Sequence, residues 1–464
     1  MKRSRRPLSL HPLAACLALA FAAPAADAKP QQPATVVVQN CLDHGAGSLR
    51  QAIIDNTGGG PIDLTALSCS SITLTTGRLE VTRAQLIQGP GSGAFEINGA
   101  GLDRVFSQLS TQTLALYGMT IRNGYADSFG GGCVYSSGNL QLNDTVVSDC
   151  RASDIASTVP VKGGGVMVKG TFVAIHSAIV HNDSYSALGT SYGGGAFVEG
   201  SAVFDHSTIS GNTVSSGSNT VAFGGGAEVD GALTMMYSTV SNNGAFGSAG
   251  GTGGLRAMGG ASIVQSTISG NQATTGVGGL YLFEPPSTPN AIIDSTISGN
   301  TAAAIAGVRA LGATSIQNST IAFNTETGAT PTGAGLYMSF GAANLQSTII
   351  ASNRSAGGAV QNVGLNNTGS LIGANNLIGS SPQVTLPPGT IGGDPKLLPL
   401  HFNGGPTKTH SLANGSPALN TGATSGAVTT DQRGTGFPRT VGAATDIGAY
   451  EGVDTDLIFA NEFD

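Results

Sequence analysis

One hexapeptide limits what this chain can fold into more than any other feature. Ser295-Thr296-Ile297-Ser298-Gly299-Asn300 occurs unchanged at 207–212 and 266–271, and in softened form at 177–182, 238–243 and 319–324. A phrase returning at a fixed period implies one structural unit per repeat, stacked so that neighbours bury what a lone unit cannot. Thr120, Thr145, Ala178, Thr208, Thr239, Thr267, Thr296, Thr320 and Thr348 mark equivalent places, a mean step of 28.5 residues. A glycine cluster precedes each phrase, and the distance from its last glycine to the next landmark is 13 residues in seven of eight units. The exception holds Glu284-Pro285-Pro286-Ser287. Constant spacing inside the unit and variable length outside it predict rigid strands joined by unequal loops.

Side chains within a unit sort by parity, as strands require. Cys133, Val166, Ala196, Ala227, Leu255, Leu280, Val308 and Leu336 form one expected inward column. Tyr135, Val168, Val198, Val229, Ala257, Leu282, Ala310 and Met338 form a second. A third contains Val146, Ile179, Ile209, Val240, Ile268, Ile297, Ile321 and Ile349. Asp149, Asn182, Asn212, Asn243, Asn271, Asn300 and Asn324 fall at a turn, where amides bond the main chain and can stack from unit to unit. Composition agrees. The chain has 70 glycines among 464 residues, no Trp and only 10% charged residues. That is too apolar for disorder and too poor in charge for a helical bundle.

The pattern resembles the right-handed parallel β-helix family, in particular bacterial surface proteins with polymorphic-outer-membrane-like repeats. The resemblance implies an all-β solenoid, one coil per unit. Gly47-Ser48-Leu49-Arg50-Gln51-Ala52-Ile53 is similar to the Ser-Leu-Arg-Glu-Ala-Ile cap motif preceding such helices, with Gln51 in place of the acid. Ser48 is placed to cap a short helix there. Asp394-Pro395, Asn403-Gly404-Gly405-Pro406-Thr407, His410, Gly415-Ser416-Pro417-Ala418, Asp431-Gln432-Arg433-Gly434 and Asp446-Ile447-Gly448-Ala449-Tyr450-Glu451 together resemble the choice-of-anchor Q domain. That resemblance implies a C-terminal cap in which Asp431, Arg433 and Glu451 are buried ion pairs and His410 satisfies backbone. The expected organisation is a signal peptide at 1–28, an N-terminal cap and first coils at 29–110, repeats at 111–380, a choice-of-anchor-like cap at 381–452 and a tail at 453–464.

The N-terminus reads as an address: basic residues up to Arg6, an apolar run from Leu13 to Ala23, then Ala26-Asp27-Ala28 as a cleavage signal. Leu13-Ala14-Ala15-Cys16 also resembles a lipobox, but His11 and Pro12 interrupt the apolar run before it. No other stretch approaches a membrane-spanning helix. Cleavage would remove four basic residues and one acid, taking the net charge from −7 to −10. Such a surface disfavours nucleic acid as a partner. Cys41, Cys69, Cys133 and Cys150 remain. In an exported chain they predict two disulfides, with nearest-neighbour pairing expected. The tail lacks an apolar helix and a sortase-like motif, and reads as a frayed end or a sorting signal.

Function should lie where the repeat does not repeat. Outward positions of the glycine-led strand include Phe197, Glu228, Arg256, Tyr281, Arg309 and Tyr337 in one column and Lys169, Glu199 and Asp230 in the next. Aromatic and charged side chains on consecutive coils could hold a sugar chain, with Phe197, Arg256, Tyr281, Arg309 and Tyr337 as binding residues. Glu199, Glu228 and Asp230 could serve as glycosidase carboxylates or hold calcium. Lys169 beside Glu199 and Glu228 beside Arg256 equally suit cross-strand ion pairs that set register. His176 and His206 share a column with polar residues, which favours a solvated corner over a metal. No cofactor motif is present; phosphate loops, calcium-binding nonapeptides, Asp-Asp pairs and nucleophile elbows are all absent. The expectation is a monomeric, exported, non-catalytic binding or adhesion scaffold for polysaccharide or a cell-surface component. The alternative is a polysaccharide lyase or glycoside hydrolase acting on the outward face.

Overall fold

The computed structural model describes residues 33–217, 220–283, 289–329, 332–366, 368–423 and 428–452. The expected signal peptide, the Glu284-Pro285-Pro286-Ser287 insertion and the tail at 453–464 lie outside the described residues.

Each repeat is one coil of a parallel β-solenoid. In the coil beginning at Val166, the strand Val166–Val168 is followed by Phe172–Ile175, then Ala178–Val180, then Asp183–Ser186. A loop carrying the short strand Ser191–Tyr192 leads through glycines to the next coil. Every strand pairing among the described residues is parallel, and the register passes unbroken from Ile179 to Ile209, Val240, Ile268, Ile297 and Ile321. Those side chains point inward and form one core from Val38 to Ile378. The apolar phase of the repeat sets this arrangement, because a one-residue slip would turn every core side chain to solvent.

Corners require the polar residues of the phrase. Asn182, Asn212, Asn243, Asn271, Asn300, Asn324, Asn353 and Asn362 form a buried ladder, each Nδ2 donating to the next Oδ1 at 2.8–3.1 Å. The same Oδ1 accepts from the preceding ladder residue's backbone N–H, so one amide satisfies two donors. Serines one corner earlier, from Ser177 to Ser319, accept backbone N–H groups in the same manner. The left-handed residue at the ladder corner is the one before the asparagine: Gly211, Gly270 and Gly299 at φ near 66°, and His181, Asn242 and Phe323 elsewhere. At the coil junction, a Cβ on Gly194 would meet the Gly225 and Thr213 carbonyl oxygens at 2.3 Å, so only glycine fits.

Two coils depart from the expected phase. Val134, Tyr135 and Ser136 pair with Val166, Met167 and Val168, so Tyr135 points outward and Val134 and Ser136 inward. The cause is an extra residue after the glycines, Cys133, whose sulfur is bonded to Cys150. Val147 then replaces Val146 in the inward column, and Cys150 rather than Asp149 takes the ladder position. A bulge pairing Leu311 with Phe340 likewise puts Ile350, not Ile349, inward. The sulfurs pair as Cys41–Cys69 and Cys133–Cys150, with Cα atoms 6.4 and 5.4 Å apart.

The N-terminal end is covered by the helix Leu49–Asp55, whose Leu49, Ala52 and Ile53 enter the core and whose Ser48 Oγ accepts from the Gln51 N–H at 3.2 Å. At the other end Val384 and Leu386 pack against the core. The described residues between 394 and 452 do not sit on that end. They run back along the flank of the coils as a strap. Gln265 Nε2 donates to Asp431 O, Thr267 Oγ1 to Lys408 O and Thr296 Oγ1 to Gln432 Oε1, each at 2.6 Å, while Thr320 Oγ1 accepts from the Ala449 N–H. Buried pairs hold it: Arg433 with Asp431 at 2.7 Å, and Arg439 with both Glu451 at 3.1 Å and Asp294 of the solenoid at 3.2 Å. Glu451 therefore pairs with Arg439, and meets Arg433 only through its backbone oxygen. His410 bridges strap and coil, Nδ1 to Leu398 O at 2.6 Å and Nε2 to Ser298 Oγ at 2.8 Å.

Candidate functional site

The glycine-led strands form one face of the solenoid. Their outward column runs in register through Tyr135, Met167, Phe197, Glu228, Arg256, Tyr281, Arg309 and Tyr337. Lys169, Glu199 and Asp230 follow two residues later on three consecutive coils.

A second, three-stranded ribbon covers part of this face. Val161–Lys162, Ser191–Tyr192 and Ala222–Phe223 pair in parallel, and Lys162, Tyr192 and Phe223 share one column in it. The Lys162 ammonium lies 4.4 Å from the Phe197 ring centroid, and Tyr192 packs against Phe197 at 5.7 Å and Phe223 at 5.9 Å. Beneath them Met167 is 3% exposed, and Phe197 and Glu228 are each 2% exposed. Lys162, Tyr192 and Phe223 each stand immediately before a glycine cluster, at Gly163, Gly193 and Gly224. That shared position was the available signal for them, and attention to loop length alone passes over it.

Glu228 Oε1 accepts a hydrogen bond from Arg256 Nη1 inside the covered patch. Among the described residues Glu228 Oε2 and Arg256 Nε have no hydrogen-bond partner. Burial pushes the Glu228 carboxyl up to about 8; Arg256 opposes that shift and Asp230 adds to it. Partial desolvation also raises the Asp230 carboxyl, and burial raises the Tyr192 phenol. Arg256 is packed between Phe223 at 4.1 Å and Tyr281 at 5.5 Å, and Arg309 covers Tyr281 at 5.5 Å while donating to Ser339 Oγ. Of the five side chains expected to bind a ligand, Phe197 is covered, and Arg256, Tyr281 and Arg309 stack on one another along the axis. Tyr337 continues the column above Gly364.

Next to the covered patch, toward the N-terminus, the face opens into a groove of about 590 Å³. Arg104, Phe129, Tyr135, Lys162, Lys169 and Glu199 are among its lining residues. Arg104 is held in place: Nε donates to Gly130 O at 3.0 Å, Nη2 donates to Ser128 O at 3.2 Å, and the guanidinium lies 5.7 Å from the Tyr135 ring. Lys162 Nζ lies 3.3 Å from Glu199 Oε1. Of the three candidate carboxylates only Glu199 lines the groove. Asp230 is exposed on the next coil, and Glu228 is buried against Arg256, whose guanidinium is covered by the Phe223 ring.

The corner column stacks His176 on His206 at 5.1 Å and His206 on Tyr237 at 4.7 Å, with His206 Nδ1 2.8 Å from Asp205. Further along, Gln265, Asp294 and Asn318 in the same column are buried, Gln265 and Asp294 bonding the strap. Among the described residues no three His, Cys, Asp or Glu side chains converge as metal ligands would. No helix among them is long and apolar enough to cross a membrane.

No protein-family model and no curated protein matches the chain. Among solved structures the chain is similar to a pectate lyase, Pel9A, with a TM-score of 0.45 and 13% identity over 90% of this chain and 97% of that one. The likeness is one of fold.

Proposed function

We propose that the chain is an exported, monomeric, non-catalytic β-helix scaffold that binds a polysaccharide in the groove beside the ribbon. The groove carries this reading. Tyr135 and Phe129 offer apolar and aromatic surface, and fixed charges surround it, the combination that orients a sugar chain. Against catalysis stands the enclosure of Glu228, since glycoside hydrolysis needs two carboxyl groups flanking a bound substrate. The repeats and the strap motifs support placing the chain with polymorphic-outer-membrane-like surface proteins bearing a choice-of-anchor Q type C-terminal domain. The basic and apolar N-terminal run supports export.

Affinity electrophoresis through a panel of neutral and acidic polysaccharides tests the reading. Migration should be retarded by at least one polymer, and Tyr135→Ala should abolish the retardation without release of new sugar ends from any polymer. One observation favours cleavage as the alternative: Glu199 at the groove and Asp230 on the adjacent coil are accessible acids. Product release that disappears in Asp230→Asn or Glu228→Gln would replace the binding reading with that one.

A further inference from the structure

The charge of the groove narrows the class of sugar it takes. Arg78, Arg104, Lys162 and Lys169 line it against one carboxylate, Glu199. Arg78 is neutralised by Glu80 at 3.3 Å and Asp103 at 3.4 Å, and Lys162 shares Glu199. Arg104 and Lys169 remain. Among the described residues neither side chain lies within ion-pair distance of a carboxylate. Lys169 is exposed, and the Arg104 guanidinium is fixed by two loop carbonyls and a tyrosine ring before any ligand arrives. Burial works against its charge more than the neighbouring Asp103 supports it, so an incoming anion would relieve a cost already present.

The chain as a whole is acidic, with a formal charge of −7. A cationic concavity on an acidic molecule concentrates anions locally while the rest of the surface repels them. We propose that the groove takes an acidic glycan, a chain whose sugars carry carboxylate or sulfate groups. The anions would be received by Arg104 at one side of the strand and by Lys169 at the other. Both groups match guanidinium and ammonium recognition, Arg104 by its planar fork and Lys169 as a point charge. The proposal rests on the groove being a saccharide site.

Calorimetric titration of the full chain with alginate oligosaccharides, dextran sulfate and uncharged dextran of matched length separates the outcomes. The acidic chains should bind at least about tenfold more tightly than dextran, and added salt should weaken them. Lys169→Ala should weaken acidic-chain binding by about tenfold, and Lys169→Arg should restore it. Tighter binding of alginate would identify carboxylate as the source of the anion, and of dextran sulfate, sulfate. Dextran binding as tightly as the acidic chains, or Lys169→Ala leaving affinity unchanged, would overturn the acidic-glycan proposal and leave the groove reading standing. Failure of all three polymers to bind would remove the groove reading itself.

Discussion

Asn271 concentrates what the repeat does at the level of one residue. Its Nδ2 donates to Asn300 Oδ1 at 2.9 Å and Val240 O at 3.0 Å, and its Oδ1 accepts from the side chain and backbone of Asn243. All these groups are buried. Asn271→Ala strands donors on one neighbour and acceptors on the other, at roughly 1–3 kcal/mol for each group left without a partner. The expected result is a destabilisation of at least about 3 kcal/mol, read as a lowered denaturation midpoint, against little change for Ser262→Ala on the outward side of a strand. This ladder was legible in the sequence because its period equals that of the apolar columns. The phase slips at Cys133 and Phe340 were not, because counting from the last glycine cannot see an extra residue placed inside a strand. Tyr135, a lining residue of the groove, falls inward by that same count.

At the level of elements, the ribbon of Lys162, Tyr192 and Phe223 decides what the face can present. The sequence placed Phe197, Glu228 and Arg256 correctly in one outward column, but outward from a strand is not the same as open to solvent. A loop that follows later in the coil comes back over the same face, and nothing local in the column records that. Glu228 shows the consequence. Its native carboxyl keeps its proton to about pH 8, while in the unfolded chain it ionises near 4.5. Over that window the native state binds more protons than the unfolded state, so this group's contribution to stability is complete at low pH and lost as pH rises through 8. Phe223→Ala opens the cover. Water reaching Glu228 should move its titration down toward the usual carboxylate range and flatten the alkaline loss of stability. Melting temperatures of the two proteins measured from pH 5 to 9 check this; parallel curves would show that Phe223 does not control the solvation of Glu228.

On the scale of the whole molecule, the strap makes the solenoid asymmetric. The spaced motifs from Asp394 to Glu451 marked a distinct segment, and Asp431, Arg433 and Glu451 were legible as buried charges. Its course along the flank was hidden, because its partners on the coils are Thr267, Thr296, Ser298 and Thr320, outward hydroxyls that read as solvent-facing in a repeat. Arg439 is the link that the motifs omit. It is 1% exposed and is held between Asp294 on a coil and Glu451 on the strap, with Asp446 O accepting a further hydrogen bond at 2.9 Å. Burial raises both carboxyls to about 7, and Arg439 opposes that in each. Removing the cation leaves two buried acids without a counter-charge, a loss on the order of 3–5 kcal/mol for a buried pair broken on one side. Solenoid coils are held chiefly by their nearest neighbours, so this loss should fall on the strap and not on the stack. Arg439→Met is therefore expected to make the segment from 394 to 452 sensitive to limited proteolysis while the β-sheet circular dichroism and its thermal transition persist. The strap should be most easily cleaved at alkaline pH, where Asp294 and Glu451 ionise with no Arg439 to oppose the effect of burial, and should regain protection as the pH falls. Simultaneous loss of strap and sheet signal would show instead that the strap is an integral part of the solenoid's folding unit.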